Sequence, residues 1–102
     1  MYQVIWSDEA LHDFEQLHVR HQRRIRLKIE GLRYTPGATP TLHRKPLDVP
    51  IDELGSDAWE LRVGPFRVFF SIDEEMRTVI VLRVILKDRW TTIEALGRSR
   101  RS

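Results

Sequence analysis

The sequence predicts an α+β fold: an N-terminal strand, a helical hairpin, then an antiparallel three-stranded meander, about four strands in all, with the helices packed on one face. Three observations carry this. The stretch from Trp59 to Arg89 is cut by Gly64-Pro65 and by Asp73-Glu74-Glu75-Met76-Arg77 into three short apolar runs rich in β-branched and aromatic residues. Upstream, apolar residues recur at helical spacing, first Leu11, Phe14 and Leu17, then Ile25, Ile29 and Leu32. Finally, 102 residues suffice for one modest core.

Tyr2–Trp6 is a β-prone run that can add an outer strand to the sheet. Ser7 is a good N-cap, with Asp8 and Glu9 placed to meet the positive end of the helix dipole. Trp6 and Leu11 flank that cap as a hydrophobic staple, and the first helix is expected to end near Leu17. The second is expected from about His21 to Arg33, stopped by Thr35-Pro36-Gly37. Thr35–Gly55 reads as an irregular loop with a basic tip at His43, Arg44 and Lys45. After Arg89, Trp90–Leu96 can form a short helix, so one domain is expected over residues 1–97 with a basic tail at 98–102.

Strand alternation decides which residues share a face. Trp59, Leu61 and Val63, then Phe66, Val68, Phe70 and Ile72, then Ile80, Leu82, Val84 and Leu86 form three clean apolar sets, expected to stack into the core. Arg62, Arg67, Arg83 and Lys87 then converge on the second face, among Phe69, Val79 and Val81. Arginine seldom sits mid-sheet without a partner. Two readings stay open: Glu60, Asp73 or Asp88 neutralises these cations, or the face is a cationic, partly aromatic platform for a polyanion.

Charge supports a polyanionic partner. Arginine supplies 14 of the 17 basic residues, and guanidinium is the better group for forked phosphate contacts and for stacking on bases. Eight basic residues against Glu30 alone lie between Arg20 and Lys45, whereas Asp48–Glu60 holds five acids and no base, a segregation that favours an oriented encounter. The chain has no cysteine, no apolar run long enough to span a membrane, and no charged-then-apolar start, so a cytoplasmic location without membrane attachment is expected. His18 and His21 lack companion ligands and read as helix-end residues; neither metal nor cofactor is expected. His43 could transfer protons because imidazole titrates near neutrality, although an exposed histidine without a role is the better-supported reading.

The segments H-R-K-P-L-D, W-E-L-R-V-G-P-F-R-V-F-F-S-I-D-E-E and T-V-I-V-L-R-V together resemble the RelE/ParE superfamily of bacterial toxin–antitoxin toxins, most specifically in G-P-F-R-V-F-F-S-I-D. The resemblance spans nearly the whole chain and implies a RelE-like fold and a cognate antitoxin as partner. RelE-like members cut mRNA on the ribosome without a metal, whereas ParE-like members poison DNA gyrase. Arg67 matches the central-strand arginine associated with the scissile phosphate, Arg62 the basic position on the preceding strand, and Lys87 and Arg89 the basic cluster after the last strand. Glu60 stands where RelE-like members can have lysine, I-L-K-D-R replaces V-G-H-K-R, and Thr92-Ile93 falls where a catalytic Tyr or His is often found.

The implied activity is a metal-free mRNA endoribonuclease, with Arg67, Arg62 and Lys87 as the catalytic candidates. The two arginines suit charge stabilisation at phosphorus, because guanidinium stays cationic. Lys87, among cations that disfavour its own charge, is the first candidate for proton transfer and His43 the second. Arg83, Arg89, Lys45, Arg44 and His43 are the candidate RNA contacts. The alternatives are a gyrase poison of the ParE kind and an attenuated toxin that mainly binds its antitoxin.

Overall fold

A computed structural model describes residues 1–34 and 58–87, together with the backbone of 44–46. The elements are β1 (Gln3–Trp6), α1 (Asp8–Glu15), α2 (Val19–Gly31), β2 (Arg44–Pro46), β3 (Trp59–Val63), β4 (Phe66–Asp73) and β5 (Thr78–Leu86). They form one five-stranded sheet in the order β1-β5-β4-β3-β2. The meander β3-β4-β5 is antiparallel as expected, and β1 joins the far side of β5 in parallel. The short strand β2 is a correction: inside the segment expected to be irregular, Arg44–Pro46 pairs antiparallel with β3. A three-residue strand is too brief for a period-2 pattern to reveal it. His43, Asp88, Arg89, the expected helix Trp90–Leu96 and the tail 98–102 lie outside the described residues.

Ser7 caps α1, its Oγ accepting from the Ala10 amide at 3.0 Å. The same oxygen donates to the Leu82 carbonyl, also at 3.0 Å, so the cap ties the helix to the sheet edge. The staple differs from expectation. Leu11 is exposed, and Trp6 packs edge-on against Phe14 with ring centroids 4.9 Å apart. Helix α2 starts earlier than expected because His18 is its N-cap, with Nδ1 accepting from the Arg20 amide. His21 lies 4.9 Å from the Phe66 ring, so both histidines have structural tasks.

The core joins Ala10, Phe14, Ile25, Ile29 and Leu32 of the helical segment to Leu61, Val63, Phe66, Val68 and Phe70 of the sheet. From β5 it takes Val79, Val81 and Val84. This corrects the expected set of Ile80, Leu82, Val84 and Leu86: Ile80 and Leu82 are only half-buried and Leu86 is exposed. Leu86 is simply the last residue of its strand, whereas for Ile80 and Leu82 the cause is a break in register. Phe69 stands opposite Arg83, but the next β4 residue, Phe70, stands opposite Val81, leaving Leu82 unmatched. One extra residue in a strand exchanges the faces of everything on one side of it. Val79 and Val81 therefore turn toward the helices.

Candidate functional site

The hairpin of β3 and β4 builds the cationic cluster. Its turn is Gly64-Pro65, with Gly64 at φ +58°, a conformation that glycine adopts without steric cost. Two-residue closure places Arg62 directly opposite Arg67 and Glu60 opposite Phe69. Phe69 in turn faces Arg83 on β5, and Lys45 of β2 stands opposite Glu60 in backbone register. Arg62, Arg67, Phe69 and Arg83 thus share the sheet face away from the helices, as alternation predicts.

Their environments differ sharply. Arg62 is exposed, whereas Arg67 is only 7% exposed. The Arg67 Nη1 donates to the carbonyls of Gly64 and Phe66, each at 2.8 Å, which fixes the guanidinium over the turn. Its Nε lies 3.9 Å from the Glu60 carboxylate, and the Lys87 ammonium lies 3.7 Å from the same oxygen. Burial, and then the charge of Arg62, push the Arg67 pKa below its ordinary value, with Glu60 acting in the opposite direction. The side chain nevertheless remains a cation, since arginine does not deprotonate in proteins.

Arg83 departs from the expected convergence. It is buried, and its Nε and Nη2 grip the two carboxylate oxygens of Asp13 at 2.7 and 3.1 Å. Asp13 also accepts from the Val84 amide at 2.9 Å, beyond the end of the β1 pairing. The guanidinium is therefore engaged with α1. Val79 and Val81, placed on this face by simple alternation, belong to the core instead.

At the rim of the turn, Arg24 of α2 adds a further guanidinium: its Nη1 sits 2.9 Å from where a side-chain carbon on Gly64 would be. Among the described residues no group of three or more His, Asp or Glu could hold a metal ion, and no helix is long and apolar enough to cross a membrane.

This arrangement, a short strand and helical hairpin ahead of an arginine-bearing meander, is matched over most of its length by a family model. The model describes the ParE toxin of type II toxin–antitoxin systems, parDE, and it covers residues 4–89. The chain belongs to the RelE/ParE family of toxins.

Solved structures agree. The toxin–antitoxin complex RelBE2 of Mycobacterium tuberculosis is similar over 81% of this chain and 94% of that one, at 28% identity and a TM-score of 0.66. The isolated RelE toxin of E. coli shares the fold over the full length of both chains, with a TM-score of 0.67 at 14% identity. The YoeB dimer of Staphylococcus aureus shares it over 80% of this chain and 92% of that one, at 10% identity and a TM-score of 0.62. Among curated protein sequences the chain has no significant match.

Within this RelE/ParE toxin, the structure brings together Arg62, Arg67 and Lys87, and sets Arg83 apart. Three residues gain importance only here. Asp13 follows no pattern that would mark it as the partner of a residue seventy positions away. Arg24 is one of several arginines on its helix, and nothing in their spacing singles it out. Glu60 was legible as a departure from the family pattern, but its position between Arg67 and Lys87 comes from the folded hairpin and the end of β5.

Proposed function

We propose that this toxin is a metal-free, ribosome-dependent mRNA endoribonuclease that inhibits translation and is held in check by a cognate antitoxin. The observation that carries the reading is the Arg62–Arg67 pair. Like charges directly opposite each other across two strands are destabilising, and here they stand beside Lys87 with Glu60 as neighbouring carboxylate. Among the described residues, three cationic side chains meet one carboxylate here, which suits an added anion, and a phosphodiester between the arginines would relieve their repulsion.

The reaction such a cluster serves is attack of a ribose 2′-hydroxyl, which gives up its proton to solvent, on the adjacent phosphorus. A P–O2′ bond forms, the P–O5′ bond breaks, and the products carry a 2′,3′-cyclic phosphate and a 5′-hydroxyl. Arg67, held by the two carbonyls, is pre-organised for the charge that develops on phosphorus, and Arg62 can approach from solvent. Lys87 is the residue for proton transfer to the departing 5′-oxygen. Antitoxin complexes of similar folds, such as RelBE2, support a protein partner for this chain. An acidic amphipathic antitoxin segment suits the same cationic face, and it would block RNA while bound.

Purified ribosomes programmed with mRNA test the reading. Toeprints should reveal cuts in the A-site codon, lost in Arg62→Ala. A second reading, a gyrase poison, is favoured by the family model's description as a ParE toxin. Inhibited supercoiling by purified gyrase, with mRNA left intact on the ribosome, would decide for it.

A further inference from the structure

We infer that Glu60 is an internal competitor of phosphate, a positioning residue that sets how tightly this toxin binds the nucleic-acid backbone. The inference rests on the anion-binding reading of the Arg62–Arg67–Lys87 cluster and names the residue that tunes it. The Glu60 side chain is 7% exposed, and one of its oxygens lies within 4 Å of two cations on different strands, Arg67 on β4 and Lys87 after β5. A carboxylate in that place does for the two cations what a phosphate oxygen would do.

The distances show how it does so. At 3.9 and 3.7 Å the contacts to Arg67 and Lys87 are ion pairs of loose geometry, in contrast to the 2.7 and 3.1 Å fork between Arg83 and Asp13. The Arg67 guanidinium takes its short hydrogen bonds from backbone carbonyls instead. Glu60 thus compensates charge without locking Arg67, and Arg67 keeps its place if the carboxylate yields to a phosphate. Two consequences follow. The free protein tolerates opposed arginines because Glu60 offsets their repulsion, and RNA must displace that carboxylate to bind fully.

The test compares full-length wild type with Glu60→Gln, Glu60→Asp and Arg62→Ala. The probes are inorganic phosphate and a short 2′-O-methyl RNA, which has no free 2′-hydroxyl and cannot be cut. Glu60→Gln should bind the oligonucleotide on the order of tenfold more tightly, with a steeper loss of affinity as salt rises, because one more cation becomes available to the backbone. It should melt lower than wild type at low salt and recover more on adding phosphate, which a merely structural role would not produce. A folded Glu60→Gln with unchanged or weaker affinity overturns the inference. Where that variant does not fold, Glu60→Asp decides: its shorter carboxylate should bind more tightly than wild type, and equal affinity overturns it. Wild-type binding that is absent, or unaffected by Arg62→Ala, removes the anion-binding reading itself and Glu60's role with it. Binding weakened by Arg62→Ala but untouched at Glu60 removes only the latter.

Discussion

Asp13 holds Arg83 in a two-pronged ion pair, through Nε at 2.7 Å and Nη2 at 3.1 Å. The same carboxylate accepts from the Val84 amide, so it seals the edge of β5 just where β1 stops pairing. One side chain of α1 thereby fixes the position of the first helix against the sheet and satisfies a buried cation and a strand amide together.

Removing either partner should be costly. Asp13→Ala leaves a buried guanidinium and an unpaired amide, a loss of about 3–5 kcal/mol by analogy with other broken buried pairs. Chemical denaturation should report a much lower midpoint. Asp13→Ala combined with Arg83→Met should recover part of the loss, because the guanidinium that Asp13 gripped is gone as well. Equal destabilisation of the single and double variants would count against the pair.

Arg67 and Arg62 should separate stability from binding. Arg67→Ala removes two short bonds to carbonyls and a partner of buried Glu60, so the melting temperature should fall, by about 1–3 kcal/mol in stability. Arg62 is exposed, and Arg62→Ala should stay within about 0.5 kcal/mol of wild type. Its effect belongs on RNA affinity and cleavage. Matched melts and oligonucleotide titrations check both; a large stability loss at Arg62 would contradict the exposed position.

Gly64→Ala tests the turn. A side chain there must adopt left-handed backbone at φ +58° and meets the Arg24 guanidinium. The backbone alone costs roughly 1–2 kcal/mol. Arg24 is the flexible end of an exposed side chain and can move aside, so Gly64→Ala and Arg24→Ala/Gly64→Ala should be destabilised to nearly the same extent. Denaturant melts of the two variants make the comparison.

Tyr2 donates to the Glu74 carboxylate at 2.6 Å, and that bond is the main cause raising its pKa above the ordinary 10.0. A phenol whose folded pKa is raised contributes stability that is fully present below its unfolded value and is lost as pH climbs through the folded one. Wild type should therefore lose stability above pH 10 more steeply than Tyr2→Phe, whereas the two should run parallel at neutral pH. Thermal melts across the alkaline range supply the comparison. Because the group is exposed, the difference is expected to be small and to shrink with salt.

Much of this toxin was legible in order along the chain. Apolar spacing and a capping serine located both helices, because those signals are local and act over a few residues. The hairpin turn at Gly64-Pro65 set Arg62 against Arg67, since a two-residue turn leaves the register of its strands little freedom. Tertiary structure decided the rest. Whether β5 presents Ile80 and Leu82 or Val79 and Val81 to the helices depends on one bulge, and both sets are apolar, so alternation alone could not choose. The bulge lies where Ser7 and Asp13 take over the strand edge from β1, through bonds to Leu82 and Val84 that link residues more than seventy positions apart. In the same way Arg62 and Arg83 are both arginines on strands, and composition treats them alike. Only the fold brings Asp13 to one of them and leaves the other facing solvent, because pairing of charges across the chain is settled by which elements pack together.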